Sequence, residues 1–93
     1  MNTDWDADPE TVARANVDEL AKLVICDFME NRRGGRDEWM ARAGERYSDH
    51  PAAVENLNRA WDRLSARGFL TPYGVRATDV TADGERFIAR NCP

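Results

Sequence analysis

The segment from Ser48 to Arg90 constrains the fold more than any other part of this 93-residue chain. From Pro51 to Arg67, Val54, Leu57, Trp61 and Leu64 recur at steps of three, four and three, so one face of a helix is built to be buried. Pro51 fixes the first turn, and Ser48 or Asp49 offers a capping oxygen. Gly68 followed by apolar Phe69 is a helix stop: glycine accepts the left-handed backbone and the next residue folds back near Leu64. Phe69-Leu70-Thr71 then reads as a short strand, Pro72-Tyr73-Gly74 as a turn, and Val75 to Val80 as a returning strand. Thr81 caps a last helix that starts Thr81-Ala82-Asp83-Gly84 and turns Phe87 and Ile88 inward.

The first half reads as two further helices. Asp8 is a capping residue, Pro9 suits the first helical position and Glu10 meets the positive end of the dipole. Val17, Leu20, Ala21, Val24 and Phe28 form one stripe along this first helix, which closes at Gly34-Gly35 after Arg32-Arg33. Leu23, Ile25, Cys26 and Met29 point elsewhere on the wheel, so the segment from Leu20 to Met29 is apolar on almost every side. Such a helix is buried twice: either a partner subunit covers Leu23, Ile25, Cys26 and Met29 in a homodimer, or the chain wraps its own central helix. A shorter helix follows from Asp37 to Tyr47, with Asp37 as its cap and Trp39, Met40, Ala43 and Tyr47 facing inward.

Length allows one domain with a modest core, here residues 9–93 behind an acidic tail of residues 1–8. The acidic start does not read as a targeting peptide, and no run of about 18 apolar residues offers a membrane span. A soluble, cytoplasmic protein without a membrane partner is the expectation. Cys26 and Cys92 form neither a paired framework nor a metal-ligand spacing, and His50 is the only histidine, so neither a metal site nor another cofactor is expected. No Gly-rich phosphate cradle and no nucleophile beside a base accompany it, which argues against an enzyme. The net charge of −4 is unevenly divided: residues 1–31 carry eight acids against Arg14 and Lys22, whereas residues 32–93 carry nine acids against eleven arginines. The second part is mildly basic.

Leu57, Leu64, Arg67-Gly68-Phe69-Leu70 and Thr81-Ala82-Asp83-Gly84, in that order, resemble the winged helix-turn-helix superfamily of prokaryotic regulators over roughly Glu10 to Arg90. The resemblance implies a mostly α fold with a small β-hairpin wing: three helices, a two-stranded wing and a short C-terminal helix. It also implies a third helix in the major groove of duplex DNA and a wing against the backbone or minor groove, so a small transcriptional regulator, joined as a homodimer through its first helix, is the expectation. On a wheel of about 100° per residue, Ala52, Glu55, Asn56, Arg59 and Arg63 fall on the outward side of that helix. Asn56 suits adenine and Arg59 guanine, while Arg63 suits a phosphate and His50 and Arg76 are further candidate DNA contacts. Against this, Glu55 and Arg59 are spaced as an ordinary solvated ion pair, and His50 beside Pro51 suits a turn. The competing expectation is a non-enzymatic interaction protein, such as a phage-type or mobile-element inhibitor, whose acidic N-terminal surface docks on a nucleic-acid-binding protein.

Overall fold

The structure, a computed structural model, describes residues 8–30, 35–71 and 80–92. Five helices follow one another: α1 (Pro9–Arg14), α2 (Val17–Glu30), α3 (Gly35–Arg46), α4 (Pro51–Ala66) and α5 (Ala82–Asn91).

The helix expected to run unbroken from Pro9 is two helices. Asp8 caps α1 as its sequence suggests, its carboxylate accepting from the amides of Glu10 and Thr11 at 3.2 Å each. At Ala15 the backbone turns extended, and Asn16 restarts the chain by accepting from the amides of Asp18 at 2.8 Å and Glu19 at 3.4 Å. An Asn side chain that satisfies the orphan amides of a new first turn competes with continuation of the old helix. The stripe of Leu20, Ala21, Val24 and Phe28 is buried as its spacing requires.

α3 begins two residues before the expected Asp37, at Gly35 with φ of 68°. His50 stands at the N-cap of α4 without a side-chain cap bond, so neither Ser48 nor Asp49 does the capping expected of it. Pro51 lessens the need, since it removes one orphan N–H from that turn. The end of α4 is a Schellman closure: Gly68 adopts φ of 78°, its amide donates to the Ser65 carbonyl, and the Phe69 amide donates to the Leu64 carbonyl, each at 3.0 Å.

The winged helix-turn-helix assignment is overturned. Among the described residues there is no strand; a single antiparallel bridge, Leu70 to Val80, stands where the two-stranded wing was expected. Pro72-Tyr73-Gly74, Arg76 and most of the second expected strand lie outside the described residues. Phe69 and Thr71 belong to no strand, and beside the Leu70–Val80 bridge the segment is tied to Thr81. Thr81 Oγ1 donates to the Gly68 carbonyl at 2.6 Å, and the Thr81 amide donates to the Phe69 carbonyl at 3.0 Å. Thr81 Oγ1 also accepts from the Gly84 amide at 3.1 Å, which makes it the cap of α5 that the sequence predicts.

The core lies where α2, α3 and α4 meet around Trp61, which is fully buried. Its ring meets Phe28 edge-on at 5.1 Å and Trp39 at 5.6 Å, the arrangement aromatic quadrupoles favour. Tyr47, Leu57, Leu64, Val12 and Ile25 complete it. Ile25 was expected on a dimer face; it has no exposure, because the chain's own core encloses it.

Cys26 and Cys92 form a disulfide, with Cα atoms 5.6 Å apart. This corrects the expectation that the two cysteines are unrelated. Their separation of 66 residues carries no local pairing signal; the packing of α5 against α2 brings them together.

Candidate interaction surface

α4 is the helix to which DNA reading was ascribed, and its polar residues turn out to be engaged within the chain. Asn56 is 4% exposed, and its Nδ2 donates to the carbonyls of Val12 at 2.8 Å and Ala15 at 3.1 Å. Those carbonyls are at the end of the short α1, where helical bonding runs out and the Ala15 amide reaches the Val12 carbonyl only at 3.4 Å. Asn56 therefore closes α1 and is not on an outward face. The wheel misplaced it because Ala53 and Ala60, both fully buried, extend the inner face past Leu57 and Trp61. Arg59 is exposed and pairs with Glu55 at 2.9 Å, the i, i+4 contact that its spacing allows. Arg63 reaches across to Asp18 of α2 at 3.1 Å. His50 is exposed at the head of α4, and Arg76 lies outside the described residues. With Asn56 buried, the structure does not bring the four described candidates, His50, Asn56, Arg59 and Arg63, to one surface.

A shallow groove of about 370 Å³ opens between α3 and α4, lined by Arg36, Asp37, Met40, Asn58, Asp62 and Ser65. Its one strongly enclosed charge is answered locally: Arg36 donates to Asp62 at 3.0 Å and Asn58 at 3.5 Å, and lies over the Trp61 ring at 5.8 Å. The groove reads as a seam between helices. Asp27 is likewise internal, accepting from Trp39 Nε1 at 2.7 Å in the core. Among the described residues no cluster of His, Cys, Asp or Glu is arranged to hold a metal ion, and no helix is long and apolar enough to cross a membrane.

α2 presents a different face. Leu23 is 52% exposed, which among the described residues no other large apolar side chain matches. Glu19 precedes it by one turn and is exposed, Cys26 follows by one turn and is half-buried, and Met29 is half-buried further along. Asp8, Glu10 and Asp18 add exposed carboxylates on α1 and α2, partly countered by Arg14, Lys22 and Arg63. These pairs are solvent-exposed, the class worth about 0–1 kcal/mol, so they yield readily to a better partner. Of the four residues assigned to a dimer contact, only Leu23 is open; Ile25 is core and Cys26 is covalently paired.

Comparison with protein-family models, with curated proteins and with solved structures finds no match for this chain.

Proposed function

We propose that the protein is a non-enzymatic interaction module that docks on a basic protein surface through the exposed face of α2. The observation that carries the reading is Leu23, an apolar anchor left open on a helix whose neighbouring carboxylates, Asp18 and Glu19, are exposed. An apolar centre with a charged rim is the composition of a protein contact: the anchor supplies burial, and the acids select and steer a cationic partner. A second copy of the same face meets it with like charges, which disfavours the homodimer relative to a basic partner. The burial of Asn56 against the end of α1 removes one of the duplex contacts expected of α4. The acidic N-terminal region supports a nucleic-acid-binding protein as the partner class, since such proteins carry basic surfaces.

The test is binding of a fluorescent Arg-rich helical peptide that carries apolar anchors, followed by anisotropy at low and high salt. Binding that weakens with salt, and falls at least about fivefold in Leu23→Asp, is the expected result, matching loss of roughly 1 kcal/mol at an interface anchor. Binding indifferent to Leu23→Asp contradicts the assignment.

A further inference from the structure

α5 is attached to the rest of the molecule in two unlike ways. At its start, Thr81 is bonded to the backbone of Gly68 and Phe69, the Phe69 and Phe87 rings stack at 4.5 Å, and Gly84 is buried against the Phe69 carbonyl and the Val80 side chain. A Cβ at residue 84 would meet Val80 Cγ1 at 2.6 Å, so this end is seated too closely for any side chain. At its other end, Cys92 caps the helix, its amide N–H donating to the Ile88 carbonyl at 2.8 Å, and is joined to Cys26 of α2. Gly84 is the one residue of α5 that is fully buried; Phe87 and Ile88 are half-buried, and the remaining described side chains of the helix are exposed. The core around Trp61, by contrast, draws every fully buried apolar side chain from residues 12 to 70. Phe87 and Ile88 pack against that core from its edge, so the disulfide ties down the end of a helix that supplies none of the fully buried apolar side chains among the described residues.

We infer that the Cys26–Cys92 bond is a thiol-addressable latch, opened by a dithiol reductant, whose opening frees the C-terminal end of α5 from α2 while α1 to α4 stay folded. Both cysteine residues are half-buried, so neither is sealed in the core. The exchange is balanced. A thiolate of the reductant attacks one sulfur, the Cys26–Cys92 bond breaks, and the released cysteine thiolate takes a proton. The reductant's second thiol then resolves the mixed disulfide, so that the reductant leaves as a disulfide and the protein gains two electrons and two protons as two thiols. In a reducing compartment the latch is open; in an oxidising one it is closed. Opening uncovers the side of α2 around Cys26, one turn from Leu23.

Amide exchange on the full chain, oxidised and then reduced under native conditions by a thioredoxin-class dithiol, tests this, with thiol alkylation reporting the state of the bond. On reduction, the amides of residues 85–92 should exchange at least about tenfold faster and lose most of their protection, while those of α2 and α4, which give up only the global stability the bond contributes, stay protected well above them, the signature of a sub-global opening. The double variant Cys26→Ser with Cys92→Ser should show the same pattern without reductant. Four results overturn the latch: two free thiols in the oxidised chain, a bond that survives the dithiol, unchanged exchange over residues 85–92 once the bond is open, or loss of protection throughout the chain.

Discussion

α2 and α4 pack along one another and both carry charge on their outer sides, yet they treat their conspicuous residues in opposite ways. On α4, Asn56 is turned inward to close α1, while Arg59 and Arg63 stay exposed in surface pairs with Glu55 and Asp18. On α2, a large apolar side chain that could have been buried, Leu23, is left in solvent while Ile25, two residues on, is sealed in the core. The difference teaches that residue type alone does not mark a surface for binding. What marks it is a group whose obvious interaction the fold does not supply.

The comparison is broken most forcefully at the shared core. Trp61→Ala removes the ring that Phe28, Trp39 and Arg36 all meet, and should cost about 3–5 kcal/mol, the range for a large aromatic in a core. Denaturant unfolding measures it, and most of the chain's stability goes with it. The disulfide closes a long loop, so opening it should lower stability by about 4 kcal/mol on the chain-entropy account. That loss appears as a shift in the unfolding midpoint with reductant, in a protein that stays folded without it.

Asn56→Ala sharpens the contrast between the two helices. The Ala15 carbonyl loses its Asn56 donor and the Val12 carbonyl is left with the Ala15 amide at 3.4 Å, so a cost of about 1–3 kcal/mol is expected for buried polar groups left poorly paired. Leu23→Ala, the corresponding change on α2, should shift stability by no more than about 0.5 kcal/mol, as surface substitutions do. A large stability loss at Leu23, with none at Asn56, would reverse the roles assigned here. Smallest of all is the Arg63 to Asp18 pair, for which a double-mutant cycle should return about 0.2–1 kcal/mol, diminishing with salt.

Much of this fold is written in short-range signals. The Asp8 and Thr81 caps, the Gly68-Phe69 stop and the stripe of Leu20, Val24 and Phe28 each depend on residues within a turn or two, and each stands as its spacing predicts. The break before α2 also had a local sign, since Asn16 followed by Glu19 three residues on is a capping pattern; the apolar periodicity on either side masked it. The rest depended on contacts between distant segments. Nothing near Cys26 specifies Cys92, and nothing near Asn56 specifies the end of α1 44 residues away. The hairpin reading of residues 69–80 gave weight to alternation, whereas the described part of that segment is held by Thr81 and by the stacking of Phe69 on Phe87. Leu23 as an open anchor was legible only in part: the wheel set it off the main stripe together with Ile25, and three-dimensional packing separated the two.

The central claim is that the α2 face binds and the α4 face does not. Backbone amide shifts of the labelled, oxidised chain, followed while an Arg-rich helical peptide or a random-sequence DNA duplex is added at about 50 mM salt, test it most directly, since weak electrostatic contacts survive there. The account predicts peptide-induced shifts centred on Glu19 and Leu23 and none from the duplex. Duplex-induced shifts centred on His50, Arg59 and Arg63, with the α2 face silent to the peptide, would contradict it.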